Sequence, residues 1–320
     1  KIGVGLLQLR SLMNGARFGA GLLALALSGV AFQRSVEYAG RRIQGRPFGD
    51  DLVSQSAPVR ICEHEDVRRM LLEMRCRVDG ARLLFAKSCT WYMDRAELKL
   101  AGEKRHTEYV AIKRVLEMLN PMIKAYISDQ AWRVIELAIQ VHGGVGYLKT
   151  LPLEAYARDV KVLSIWEGTN GIQALTLIRE RLNYGAIGPG IKLFCSAVGR
   201  DAQVDREDNF WPRDAAVLRN ALEALQSALQ RIELRSRSPR RSGIGFFATR
   251  VLDALTEIAF AWVLLGAARH CHRLSTLSDH GGFPREFLQE KIESYLFFSR
   301  NILPHTITRL GIVCDDEATI

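Results

Sequence analysis

The densest concentration of residue types able to do chemistry lies between Gln140 and Gln173. Ile165-Trp166-Glu167-Gly168-Thr169-Asn170-Gly171-Ile172-Gln173 sets one carboxylate between an aromatic residue and a glycine, just ahead of a helical pattern that runs to about Leu182. Thr169 or Asn170 can cap that helix. A glutamate so placed can project into an apolar pocket, where burial raises its pKa toward the range useful to a general base. A plainer arrangement is a Glu set favourably against a helix N-terminus, worth about 0.3–1 kcal/mol. Spacing alone leaves both open. Upstream, Gln140-Val141-His142-Gly143-Gly144-Val145-Gly146-Tyr147 ends another helical pattern. Its glycines let a backbone approach a ligand and present N–H groups to anionic oxygens, or they make a tight helix–helix turn, which the spacing favours. A phosphate-binding P-loop does not fit, because Leu148 stands where a glycine should precede Lys149-Thr150 and no strand leads in. His270-Cys271-His272 has metal-ligand types, but neighbours on a helix point about 100° apart and do not converge on one ion.

The elements that must position these residues are helices. Val67, Met70, Leu71, Met74, Val78, Ala81 and Phe85 recur at three- and four-residue steps, as do Tyr109, Ile112, Val115, Leu116 and Leu119. Pro121 predicts a kink or break before the apolar positions resume at Ile123, Ile127 and Ile135. Leu218, Leu222, Leu225, Leu229 and Ile232 mark another helix, and Ala248 to Leu265 is apolar all round, as at the centre of a bundle. Gly185 to Gly190 reads as a boundary between two bundles, and Arg235 to Gly243 as a basic, Ser-rich connector inside the second. Strand signals are almost absent. The expected fold is all-α, with one helical bundle over residues 1–184 and a second over 191–320.

With 48% hydrophobic and 25% charged residues, the 320-residue chain is globular rather than disordered. Its net charge of +9 allows anionic partners or a solvated basic surface. Six cysteines without a CxxC pair favour reduced thiols in a reducing compartment, the cytoplasm, over disulfides or zinc. The uncharged stretch Phe18 to Phe32 is shorter than the ~20 residues that cross a bilayer and is expected as a buried helix, not a membrane span. The chain opens with Lys1 inside helix-like apolar sequence and reads as a segment of something longer.

Taken together, the motifs resemble those of acyl-CoA dehydrogenases: Gln-x-x-Gly-Gly-x-Gly at 140–146, Arg158-Asp159, then aromatic-Glu-Gly-Thr at 166–169. Met13-Asn14-Gly15-Ala16-Arg17 resembles the family's first C-terminal helix, and Tyr38-Ala39-Gly40-Arg41-Arg42-Ile43-Gln44-Gly45-Arg46 the helix end that carries a flavin-contacting arginine. Phe287, Lys291, Tyr295, Phe297, Phe298 and Pro304 resemble the last helix of a larger subgroup with an added C-terminal bundle, which includes broad-specificity and methylmercaptopropionyl-CoA dehydrogenases. The resemblance implies FAD-dependent α,β-dehydrogenation of an acyl-CoA thioester, with electrons passing to an electron-transfer flavoprotein. It implies Glu167 as the base, Arg17 supporting it, and Trp166 and Gly168 beside the substrate. It further implies Arg42, Gln140, Gly143 and Gly144 against the FAD of a neighbouring subunit and Thr169 against that of its own, hence a homodimer. Glu167 is thereby expected away from bulk water, near the glycine cluster and both arginines. Where many relatives carry Phe, this chain has Gly45. The family's N-terminal helical domain and middle β-domain are not in this chain, which is expected to be a fragment that does not bind FAD tightly by itself.

Two other functions fit parts of the sequence. Basic C-terminal regions occur in alkylation-response relatives that bind nucleic acid, and the Arg235–Arg241 cluster suits phosphates, although a nucleic-acid partner is not expected. A non-catalytic helical interaction module is the other, and lack of flavin absorbance in the purified chain distinguishes it.

Overall fold

The computed structural model describes residues 4–48, 57–101, 105–185, 188–203, 211–237 and 243–315. Among these, all regular structure is helical, apart from one antiparallel backbone bridge between Ile43 and Arg60. The all-α expectation holds. The first bundle comprises α1 (Val4–Arg41), α2 (Glu65–Leu100) and α3 (His106–His142). The short helices α4 (Gly144–Tyr147), α5 (Leu153–Leu163) and α6 (Asn170–Thr176) follow, and α6 widens into a π-helical turn, Leu177–Arg181. The chain continues through α7 (Pro189–Asp201), α8 (Pro212–Ser236), α9 (Ile244–Ser275), α10 (Arg285–Asn301) and α11 (Leu303–Cys314).

The axis of the first bundle is α3, against which α1, α2, α5 and α6 all pack. It runs unbroken through Pro121, so of the expected kink or break there is no break. Every residue from Met118 to Ser128 is buried, and packing on all sides outweighs the one backbone hydrogen bond that proline forgoes. On α1, small residues at helical spacing (Ala20, Ala24, Ser28, Ala31, Ser35 and Ala39) form the buried face. They let α1 approach α3 closely: a Cβ added at Gly21 lies 2.6 Å from Ile123 Cγ2. The opposite face, with Leu22, Leu23, Val30 and Val36, is exposed. The helix expected to be buried is therefore covered on one side only. By contrast, α9 is buried almost all round, as its composition implies.

Buried carboxylates fasten the second bundle. Asp79 on α2 accepts from Lys291 Nζ at 2.8 and 2.9 Å and from Ser294 Oγ at 2.8 Å, both on α10. Glu257 on α9 accepts from Tyr126 of α3 and from Thr306 and Arg309 of α11. Gly80 of α2 leaves room for the Phe260 ring of α9, which lies 2.4 Å from where a Cβ would stand. The extension expected as one last helix is two, with Pro304 opening α11 in the first turn, where its missing N–H is harmless. Of the expected bundle boundary, Gly185 is described and its Cβ position abuts the Leu229 carbonyl at 2.2 Å, while Ala186 and Ile187 lie outside the described residues. Of the basic connector, Arg235 donates to the carbonyls of Val313 and Asp315 and Arg237 pairs with Glu233, so both engage the fold itself. Residues 238–242 lie outside the described residues.

Candidate active site

The segment between α5 and α6 turns on two consecutive residues with left-handed backbone, Glu167 at φ 56° and Gly168 at φ 88°. For Gly168 this is unstrained, and a Cβ there would meet Gln173 Nε2 at 2.7 Å. For Glu167 it costs on the order of 1–3 kcal/mol and persists only where the surroundings over-determine it. They do so through three side chains. Arg17 Nε on α1 donates to the Glu167 carbonyl at 3.2 Å. Gln173 Nε2, wholly buried on α6, donates to the carbonyls of Glu167 and Gly168 at 3.1 and 3.3 Å. Lys124 Nζ on α3 donates to the Gly168 carbonyl and to Asn170 Oδ1, each at 2.8 Å.

Pulling both carbonyls inward has a geometric consequence. In a trans peptide the C=O and the following N–H point in opposite directions, so the N–H groups of Gly168 and Thr169 face away from the clamp. Among the described residues, the N–H groups of Glu167, Gly168 and Thr169 have no acceptor. Glu167 as a residue is half-buried, and its carboxylate makes neither a hydrogen bond nor an ion pair among the described residues. An unpaired carboxylate beside unpaired backbone donors can take up a proton while the donors stabilise a developing negative charge. The flanking surface is apolar and open, with Ile165, Trp166, Ile172 and Leu175 all exposed. Phe246 at the start of α9 is also exposed, and its neighbour Gly245 abuts Leu175 Cδ2, with 3.5 Å left for a Cβ.

Sequence reasoning missed Lys124 and the acids near it. Burial pushes Lys124 down to about 8, against the attraction of Asp129; repulsion from Arg17 adds to the drop and attraction from Glu167 opposes it. Asp129 is itself raised by burial, despite a hydrogen bond from Asn170 and the nearby charges of Lys161 and Lys124. The available signal was a lone lysine inside the otherwise apolar stretch Met122 to Ile127, in register with the core face. Thr169 is the helix cap: its Oγ1 accepts from the Ile172 N–H at 3.4 Å.

The structure unites Glu167, Arg17, Trp166, Gly168 and Thr169, but Arg42, Gln140, Gly143 and Gly144 form a second cluster elsewhere. Lys124 and Gln140 are 16 residues apart on one helix, about 24 Å along its axis. The expectation that one carboxylate faces both arginines and the glycines is thus corrected: Arg17 is beside it and Arg42 is not. Stacking of Tyr38 on His142, with ring centroids 4.5 Å apart, joins the ends of α1 and α3 and so sets Arg42 near the glycines. Arg42 and Gln140 are exposed, and nothing lies within 4 Å of a Cβ built on Gly143 or Gly144. An exposed guanidinium at the end of α1, which packs by Tyr38 on the His142 that precedes an unobstructed glycine backbone, fits an anionic group such as a dinucleotide's phosphates. Gly146 differs, being packed against the Ile139 carbonyl, and serves the turn. Gly45 has φ 73° with the His64 ring 3.2 Å from its Cβ position, so a phenylalanine there is excluded without rearrangement.

Residues 3–182 match the family model for the acyl-CoA dehydrogenase C-terminal domain, and residues 192–320 match one described as acetyl-CoA dehydrogenase C-terminal like. Butyryl-CoA dehydrogenase of Syntrophomonas wolfei is 29% identical over 94% of this chain and 48% of its own length. For 3-methylmercaptopropionyl-CoA dehydrogenase of Ruegeria pomeroyi the figures are 30%, 93% and 48%. The chain therefore spans about half the length of these curated relatives. Among solved structures, a Bacillus anthracis acyl-CoA dehydrogenase complexed with FAD superposes with TM-score 0.65 at 16% identity, over all of this chain and 55% of its own. Acyl-CoA oxidase 3 of Yarrowia lipolytica does so with TM-score 0.66 at 13% identity, over 94% and 49%. At these identities the structural likeness establishes the fold alone.

Proposed function

Because the chain belongs to the acyl-CoA dehydrogenase family, we propose that it supplies the base and part of the cofactor site for FAD-dependent α,β-dehydrogenation of an acyl-CoA thioester by the complete protein. The observation that carries this reading is the half-buried Glu167, its carboxylate unpaired among the described residues, at the head of a turn held by three donors. Glu167 takes the α-proton. In this reading the N–H groups of Glu167 and its neighbours, which have no acceptor among the described residues, polarise the thioester carbonyl and stabilise the enolate-like charge that grows as the proton leaves. Arg17 acts through the backbone, holding the carbonyl of Glu167 rather than its carboxylate. Trp166 and Gly168 flank the thioester, and Trp166 with Ile165 offers apolar surface to the acyl chain. When bound, FAD supplies the acceptor for the hydride that leaves the β-carbon.

The separation of the two clusters supports assigning Thr169 to the cofactor of its own subunit and Arg42, Gln140, Gly143 and Gly144 to that of a neighbour, which makes a homodimer part of the site. Electron-transfer flavoprotein is the proposed electron acceptor. The division into units 1–184 and 191–320 belongs to the same proposal, as does a cytoplasmic setting, which the free thiols fit. The test is Glu167→Gln in the full-length, flavin-loaded protein. Flavin and acyl-CoA binding are retained while turnover falls by about 10²–10⁴, the usual contribution of a general base; retained turnover refutes the assignment.

A further inference from the structure

We propose that Lys124 is the positioning residue of the Glu167 turn, its buried ammonium holding the Gly168 carbonyl inward so that Glu167 keeps the left-handed conformation from which it works. This rests on the reading of Glu167 as base. Lys124 has no solvent exposure and lies in the stretch of α3 that is buried on every side. Its four-carbon stem ends on two acceptors, and both belong to the turn: the Gly168 carbonyl and Asn170 Oδ1, each at 2.8 Å. Asn170 is locked in its turn, since its Nδ2 donates to the Ala125 carbonyl and to Ser128 Oγ at 3.0 Å and its backbone N–H to the Ser164 carbonyl at 3.1 Å. Lys124, Ser128 and Asn170 therefore form one hydrogen-bonded network between the core of α3 and the backbone that carries the base.

The charge is not spent on an ion pair, because among the described residues no carboxylate oxygen lies within 4 Å of Lys124 Nζ. A buried ammonium without a direct counterion needs strong acceptors, and carbonyl and amide oxygens meet that need only in a fixed geometry. The demand runs both ways. The ammonium requires the Gly168 carbonyl to stay inward, and that carbonyl in turn fixes the Gly168–Thr169 peptide, the far side of the turn that begins at Glu167. Gln173 reinforces the same carbonyl but also serves that of Glu167, so Lys124 is the one donor here whose bonds all end beyond Glu167 itself.

Two measurements test the assignment. The first is amide hydrogen exchange on this 320-residue chain with Lys124→Met, which keeps the stem and removes the donor. The backbone amides of Asn170 and Gln173, bonded to the carbonyls of Ser164 and Thr169, exchange at least tenfold faster, while those of α9 are unchanged. The second is steady-state kinetics in the flavin-loaded full-length protein, where kcat falls at least tenfold, KM for acyl-CoA stays within threefold, and Lys124→Gln, a neutral donor, recovers part of the loss. Wild-type exchange or wild-type kcat in folded Lys124→Met overturns the proposal. If that variant does not fold, Asn170→Ala takes one acceptor from the ammonium while keeping the lysine, and unchanged exchange at Gln173 is then the refuting result. The exchange readout involves neither flavin nor substrate. Full turnover in Glu167→Gln would therefore end the base reading while leaving this geometry to be decided by exchange.

Discussion

The link between the two bundles gives a quantitative prediction. Asp79 is almost fully buried on α2 and accepts three hydrogen bonds from α10, two from Lys291 Nζ and one from Ser294 Oγ. Removing one partner of a buried pair costs about 3–5 kcal/mol, chiefly because the other charge is left without compensation. In Asp79→Ala that penalty is moderated twice. The Lys291 side chain is 21% exposed, so its ammonium can turn toward water, and Ser294 Oγ still reaches the Glu290 carbonyl at 3.1 Å. The expected loss is therefore at the low end, about 3 kcal/mol. The double variant Asp79→Leu/Lys291→Met leaves no buried charge stranded, since Arg82, which also reaches Asp79 at 3.8 Å, is 55% exposed to water, and it should lie within about 1 kcal/mol of the parent. Urea unfolding followed by far-UV circular dichroism reads both as changes in midpoint at constant slope. A single variant that loses under about 1 kcal/mol, or a double variant as unstable as the single, refutes the view that this carboxylate fastens the bundles by charge pairing.

Other consequences follow from individual sites. Burial, with Glu257 nearby, pushes Asp253 up to about 7. Its contribution is therefore full below the unfolded value of about 3.9 and is lost as pH rises through about 7, so Asp253→Asn should flatten the stability curve over that window in urea titrations. Burial alone would raise Glu73, but a hydrogen bond from Arg133 and the charge and hydrogen bond of Arg77 outweigh it and hold it below the usual carboxylate range. The sign is opposite: this stability is present above the unfolded value of about 4.3 and vanishes as pH falls through the lowered one. Arg133→Met should accordingly move the acid-unfolding midpoint upward, and an unmoved midpoint counts against the pairing. Gly21→Ala forces a methyl to 2.6 Å from Ile123 Cγ2 and 3.0 Å from its carbonyl oxygen, so α1 must shift off α3. A loss of about 1–3 kcal/mol is expected by thermal melt, and a neutral effect would show that the crossing is looser than drawn.

Helices were legible in the sequence because burial of one face writes its own period, as in the steps from Val67 to Phe85. Pro121 misled for the converse reason. Local propensity argues for a break, but a stretch enclosed by neighbouring helices answers to packing, which no window of the sequence displays. The same limit hid the working parts of the site. Glu167 stood out through its neighbours Trp166, Gly168 and Thr169, and Arg17, 150 positions away, came only with the family resemblance, whereas Gln173 and Lys124 act from two further helices on the carbonyls of Glu167 and Gly168, which neither motif nor spacing displays. Residue types name a candidate base, but they do not say what holds its peptide in a conformation that L-residues avoid. That is why the strained φ at Glu167 is the more informative feature: it requires a surrounding clamp, and each donor of that clamp is a residue whose loss should reach the base without touching its carboxylate.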